Sequence, residues 1–161
     1  MLFKNWQDGA KLGVSLLLPQ LAGLIGAIFT TPATQTWYMN INKPGFTPPN
    51  WLFAPVWTTL FILMGVALWL IWRQPKESPN KNFALFLFAM QLILNTFWSI
   101  IFFGWGQFGL AFLEIIVLWI MVFATALIFA KQSKWAGVLL IPYILWLTLA
   151  SALNYQVWML N

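Results

Sequence analysis

Five long apolar stretches separated by polar punctuation dominate the chain, at about residues 12–29, 51–72, 82–103, 108–130 and 135–158. Each comes close to the roughly 20 residues that an α-helix needs to cross a ~30 Å hydrocarbon core at ~1.5 Å per residue. The pattern predicts an all-α membrane protein, a bundle of five transmembrane helices forming a single domain over residues 1–161. Links after the second, third and fourth stretches are short, which favours antiparallel neighbours. The link over residues 30–50 is different: it carries Pro32, Pro44, Pro48 and Pro49 and shows no helical period. Loops that long are usually lids, binding segments or disordered linkers. Trp37, Tyr38, Ile41 and Phe46 need something to pack on, so the segment reads as a folded lid over the extracytoplasmic end of the bundle.

Charge gives the direction of crossing. Lys4 and Lys11 precede the first stretch, Arg73, Lys76 and Lys81 lie between the second and third, and Lys131 and Lys134 between the fourth and fifth. Only Lys43 falls in a link of the other parity. Basic residues are retained on the cytoplasmic side, so the N-terminus is expected in the cytoplasm, with the protein in a plasma or inner membrane. Composition agrees: 61% of the 161 residues are hydrophobic and 7% are charged, too few charges for a water-facing surface. The net charge of +5 is scattered singly over the links, which reads as topology signals beside anionic lipid and not as a nucleic-acid surface.

The chain has neither cysteine nor histidine. That removes disulfides, thiol chemistry, zinc sites and the usual axial haem ligand, so no metal centre and no obligatory cofactor is expected. Paired carboxylates, a nucleophile–base set and a phosphate loop are also missing. Gly104, Gly106 and Gly109 follow no strand and read as a tight turn.

Candidate chemistry lies at depth. Of twelve tryptophans, Trp51, Trp69, Trp72, Trp105, Trp135 and Trp158 sit near span ends, where indoles favour the headgroup region. Trp6 and Trp37 fall outside the spans, leaving Trp57, Trp98, Trp119 and Trp146 in the hydrocarbon zone, where each indole N–H wants a partner. Gln91, Asn95 and Ser99 recur every four residues with Trp98 beside them, a polar stripe that should face the bundle interior. Such a stripe either bonds neighbouring helices, at ~0.6–2 kcal/mol per contact, or lines a pocket. Pro142, Trp146, Ala150 and Asn154 repeat the interval in the fifth span, and Trp57, Phe61 and Gly65 in the second. Facing one another, these stripes enclose an aromatic slot suited to a flat, mostly apolar ligand; ordinary helix packing uses such stripes too. Glu114 is the sole acid within a span. A structural role is expected for it: protonated, bonded to an amide or backbone group, or reaching water.

The chain resembles the translocator protein family, whose bacterial members are called tryptophan-rich sensory proteins and whose animal member is the peripheral benzodiazepine receptor. The resemblance is carried by Trp37-Tyr38, by Lys43-Pro44-Gly45-Phe46-Thr47-Pro48-Pro49 and by Pro55-Val56-Trp57. It continues through Gln91 to Asn95 with Trp98, then Ile101-Phe102-Phe103-Gly104, Trp135-Ala136-Gly137-Val138, Ile141 to Trp146 and Leu153-Asn154-Tyr155. It implies a five-helix bundle, commonly dimeric, that binds porphyrins, haem, sterols and benzodiazepine-type drugs in a pocket under the first loop. By position it implies pocket contacts from Tyr38, Pro48, Trp57, Phe61, Asn95, Trp98, Ser99, Trp146 and Ala150. Trp57 and Trp146 look like the pair implicated in light-driven porphyrin breakdown in bacterial relatives, the only catalytic role the resemblance offers.

Two positions depart from the family. Phe46 stands where tryptophan is usual, and no basic residue follows Tyr155, which weakens the sterol-recognition pattern of animal members. The leading expectation is a membrane receptor or sensor for tetrapyrroles such as protoporphyrin IX or haem, linked to porphyrin homeostasis and a stress response. Light-dependent porphyrin degradation is the alternative. Transport of tetrapyrroles or lipids comes third, since an odd number of spans without an evident repeat lacks the usual transporter architecture. Expected partners are a tetrapyrrole ligand, membrane lipid and a second copy of the chain, with no nucleic acid. Gly23/Ala27 or Ala22/Gly26 would let helices approach closely, between copies or within one bundle.

Overall fold

The computed structural model describes residues 6–161; Lys4, one of the topology signals, lies outside them. The described residues form α1 (Trp6–Gln35), a short 3-10 turn (Trp37–Met39), α2 (Asn50–Trp72), α3 (Lys81–Ser99), α4 (Phe108–Gln132), α5 (Lys134–Val138) and α6 (Ile141–Leu160), with no strand among them. Five helical segments are long and apolar enough to cross a membrane, α5 and α6 together making the fifth. The break between those two precedes Pro142, whose ring restarts the helix at its first turn, where a missing N–H does no harm.

α1 extends beyond the apolar stretch at both ends. At its start Asp8 accompanies the helix N-terminus, favoured by the dipole, and its carboxylate lies 3.6 Å from the Arg73 guanidinium. The Trp69 indole donates to the Asp8 carbonyl at 3.1 Å, and Arg73 lies over the Trp69 ring at 4.4 Å. This clamp fixes the polar start of α1 on the end of α2. At the other end the helix runs six residues, 30–35, into the segment read as a lid. Thr30 and Thr36 turn their hydroxyls back onto the Gly26 and Pro32 carbonyls; the second bond meets an acceptor at the helix end, where the Thr36 N–H goes to Ala33 instead. The non-helical link therefore shrinks to the stretch between Gln35 and Asn50.

α1 packs on α2 and α3, α3 on α4, α4 on α6, and α2 on α5. Met64, Ile71, Phe88, Ile115, Phe129 and Tyr143 fill the middle of the bundle, with Phe88 stacked on Phe129 at 5.9 Å. The outward faces are the apolar ones: Leu17, Leu21, Leu24 and Ile28 on α1 and Leu113, Val117, Ile120 and Leu127 on α4 are exposed. That inversion of the soluble pattern suits hydrocarbon as solvent. Glycines set the α1 contacts. A Cβ on Gly65 would lie 2.7 Å from the Ser15 carbonyl oxygen, and one on Gly26 2.9 Å from Ser99 Oγ. Gly23 faces the Phe61 ring, so these two α1 glycines are used inside the bundle.

The proline-rich link is folded onto the end of the bundle where α3 stops and α4 starts. Trp37 packs against Phe103 and Phe108, and Tyr38 against Phe102 and Phe103, at ring separations of 5.4–6.3 Å. The last turn of α3 widens into a π-helical turn over Ile100–Gly104, closed by Trp105 N–H on the Ile100 carbonyl at 2.9 Å. The wider turn sets Phe102 and Phe103 against Trp98 as well as Tyr38. Gly106 then turns the chain into α4 at φ 64°, a left-handed conformation that glycine adopts without strain. Asn42 donates from its backbone N–H to Asn161 Oδ1 and from Nδ2 to the Leu160 carbonyl, and Asn161 Nδ2 donates to the Asn42 carbonyl. These three bonds of 3.0–3.1 Å fasten the link to the end of α6.

Candidate functional site

The polar stripe of α3 faces inward. Asn95 Nδ2 donates to the Tyr143 hydroxyl at 2.8 Å, joining α3 to α6 in a buried contact. Trp98 donates to Asn154 Oδ1 at 3.0 Å, and Asn154 Nδ2 donates to the Phe108 carbonyl at 2.8 Å, so one amide links α3, α6 and α4. Ser99 lies against α1 at Gly26. Gln91, only 1% exposed, has neither its amide nitrogen nor its oxygen paired. Both Glu114 carboxyl oxygens are likewise buried without a hydrogen-bond partner, within electrostatic reach of Tyr143. Of the three alternatives expected for Glu114, the bond to an amide or backbone group is not made. Two unpaired polar groups in a bundle core are costly in lipid, and natural cores keep them for water, ligand or function.

Aromatic rings surround this polar centre. Trp57 lies 5.4 Å from Phe61 and meets the Tyr143 ring edge-on at 6.1 Å. Phe61 is buried against α1, and Trp98 stacks on Phe102 at 5.1 Å. Trp146 has a different neighbour, Phe53, at 5.6 Å. Trp119, the fourth tryptophan at depth, is bonded to Thr148 Oγ1 at 2.9 Å and stacked on Phe123.

Between α2 and α6 the surface opens into a groove of about 610 Å³. Its walls include Trp51, Pro55, Leu60 and Leu63 from α2, with Pro142, Leu145 and Trp146 from α6. Two prolines border it. Pro55 withholds the helical hydrogen bond from the Trp51 carbonyl, and Pro142 lies opposite at the start of α6. The walls are apolar with few polar atoms. The Thr59 hydroxyl is turned away onto the Pro55 carbonyl, but the Trp146 indole N–H is buried and unpaired. The volume falls within the ~300–1,000 Å³ usual for small-molecule sites.

The expected site residues therefore divide. Asn95, Trp57 and Phe61 come together around Tyr143; Trp98 and Tyr38 join the Phe102–Phe103 patch under the link; Trp146 alone of the set lines the groove. Ala150 packs against the main core, Ser99 against α1, and Pro48 is half-buried in the link. Tyr38 sits beneath the Lys43 ammonium at 4.4 Å, and burial raises its hydroxyl above the usual tyrosine value. Sequence reasoning missed Tyr143 as the partner of Asn95, Pro55 as part of the groove, and Phe53 as the ring neighbour of Trp146. The four-residue interval from Tyr143 to Leu147 and Ser151, all buried, was the available signal.

A helical membrane protein with an apolar groove bearing two tryptophans and a polar aromatic centre is the class that this geometry defines. The chain belongs to the TspO/MBR family, whose model matches residues 15–159. It is 42% identical over 151 residues to the tryptophan-rich protein TspO of Archaeoglobus fulgidus, covering 94% of this chain and 97% of that one. It is 38% identical over 139 residues to the tryptophan-rich sensory protein of Cereibacter sphaeroides, covering 84% and 85%. Against the human translocator protein the identity is 36% over 143 residues, covering 88% and 85%. Family membership and the five apolar helices make this a multi-pass membrane protein.

Proposed function

We propose that the protein is an intramembrane receptor for tetrapyrroles and similar flat, apolar molecules, reporting their level as part of porphyrin homeostasis and a stress response. The observation that carries the reading is the α2–α6 groove, with a buried, unpaired Trp146 N–H in an otherwise apolar wall. A macrocycle or aryl ligand seated there gains stacking on the indole, at roughly 0.5–1.5 kcal/mol per aromatic pair beyond area burial. A ligand acceptor atom reaching the N–H removes a desolvated donor, which favours polar-edged rings over plain hydrocarbon. The names of the relatives, sensory protein and translocator protein, are consistent with a ligand-responsive role. Orientation with the N-terminus in the cytoplasm and assembly as a homodimer belong to the same reading. Gly23 and Gly26 already meet Phe61 and Ser99 within the bundle, which argues against those two glycines as the contact between copies.

The test is a titration of the purified full-length protein with protoporphyrin IX and, in parallel, haem, read in the porphyrin absorption band. Without histidine or cysteine, metal-free porphyrin should bind at least as tightly as haem. Replacement Trp146→Leu should weaken binding about tenfold, the sum of one stacking contact and one hydrogen bond. Trp119→Phe, away from the groove, should leave it unchanged. Binding of the iron form only, or an unaltered affinity in the Trp146 variant, would refute the reading.

Trp146 at the wall, with Trp57 against the Tyr143 ring, favours one second reading, light-dependent porphyrin oxidation. The indole would give one electron to the photo-excited macrocycle, and the resulting radical anion would pass it to dioxygen as superoxide. The indole radical cation would regain an electron from a porphyrin, which is thereby oxidised by one electron. Illumination with and without oxygen distinguishes this from binding alone. Bleaching that persists equally in a Trp57→Phe, Trp146→Phe double variant would dismiss it.

A further inference from the structure

At the end of the bundle opposite the proline-rich link, the described basic residues are Lys11, Arg73, Lys76, Lys81, Lys131 and Lys134, against the acids Asp8 and Glu77. Asp8 is engaged by Arg73. Lys81 is 7% exposed and donates to the Gln74 backbone carbonyl, so its charge is held inside the turn between α2 and α3, close to Lys11, Lys76 and Glu77. Asn80, at φ 60°, ends that turn in the left-handed region that asparagine tolerates. A cavity of about 300 Å³ lies between the turn and the end of α4.

The lining has a consistent chemistry. Ser78, Asn80, Lys131 and Gln132 present donors, no carboxylate borders the space, and Ile128 continues the wall one turn deeper along α4. Gln132 is the telling residue. Its amide nitrogen and oxygen are both buried, and neither has a partner. Gln74, which also borders the cavity, instead spends its amide on the Leu70 carbonyl at 3.3 Å. An unpaired amide beside a lysine, bordering a cavity of mixed polar and apolar lining at a span end, marks a place for an anionic acceptor.

We propose that this cavity binds a phosphate group, that of an anionic phospholipid headgroup. Phosphate oxygens accept from the Lys131 ammonium and Gln132 Nε2, with Ser78 and Asn80 at the rim. Gln132 Oε1 needs a donor, which the hydroxyls of a glycerol headgroup provide. Ile128 faces the start of the acyl chains. The position at the span ends puts the phosphate at headgroup level, where basic pockets between helices select anionic lipid. This site is separate from the α2–α6 groove and does not rest on the porphyrin reading.

The test measures thermal stability and lipid retention by native mass spectrometry for the full-length protein in neutral detergent. Phosphatidylglycerol, phosphatidylcholine and inorganic phosphate are added at matched concentration. Phosphatidylglycerol should raise the Tm and be retained, and the other two should do neither. Gln132→Leu should keep or raise the lipid-free Tm, because it removes a buried unpaired amide, while weakening phosphatidylglycerol binding about tenfold, the scale of one hydrogen bond to a charged group. Lys131→Ala should weaken it about fivefold, the worth of one basic residue near the headgroups. Lys134→Ala, an exposed lysine outside the cavity, should leave it unchanged. Equal effects of phosphatidylcholine, wild-type binding by the Gln132 variant, or an equal loss in the Lys134 variant would overturn the site. Stabilisation by inorganic phosphate matching that of phosphatidylglycerol would overturn the lipid as its source.

Discussion

Asn95 and Tyr143 are buried together, and the amide-to-hydroxyl bond of 2.8 Å between them is one of two direct polar links from α3 to α6, the other running from Trp98 to Asn154. In hydrocarbon the alternative to that bond is an unpaired amide, yet inter-helix bonds are worth only ~0.6–2 kcal/mol because the separated helices find other partners. Tyr143→Phe should therefore destabilise the protein by about 0.6–2 kcal/mol, and Asn95→Leu added to it should recover most of the loss. Unfolding midpoints of the two variants in the same detergent decide this; a double variant less stable than the single one contradicts it. The Asn95 stripe was visible in the sequence, but its partner was not. An interval of four places a side chain on a face without saying which helix meets that face.

At the scale of elements, the close approach of α1 and α2 depends on Gly65. A methyl group there would stand 2.7 Å from the Ser15 carbonyl oxygen and 2.8 Å from Leu16 Cα, backbone atoms that cannot move aside alone. Gly65→Ala should cost about 1–3 kcal/mol by forcing the helices apart. Gly9→Ala, with nothing within 4 Å, should be neutral or stabilise by up to ~1 kcal/mol through helix propensity. Chemical unfolding of both variants tests the pair, and equal effects would remove the packing argument. The same scale shows where periodicity misleads. Pro32 and the threonines in residues 30–35 suggest a link, but the helix runs on to Gln35, with the Thr36 hydroxyl donating to the Pro32 carbonyl at its end. Conversely, nothing in the pattern at Ile100–Gly104 announces a π-helical turn.

Across the whole molecule, charge and packing describe one axis. The aromatic patch and the Asn42–Asn161 clasp mark one end, and Arg73, Lys81 and Lys131 mark the other. With no native cysteine, single replacements can report topology directly. Asn40→Cys should react with a membrane-impermeant maleimide in intact cells, and Ser133→Cys only after permeabilisation. Reversed labelling would invert the orientation inferred from the basic residues.

Much of the architecture was legible in the chain because hydrocarbon imposes a simple rule: about 20 apolar residues per crossing, with backbone hydrogen bonds satisfied inside each helix. Span number, helical class and the inward stripe of Gln91 and Asn95 follow from that rule and from a 3.6-residue repeat. Tertiary structure alone decided which stripes meet. It set Trp57 against Tyr143 in the core and Trp146 on an open groove, and it left Gln91, Glu114 and Gln132 without partners. Those outcomes depend on the rotation and spacing of helices, which glycine contacts, prolines and single polar bonds settle between segments far apart in the chain.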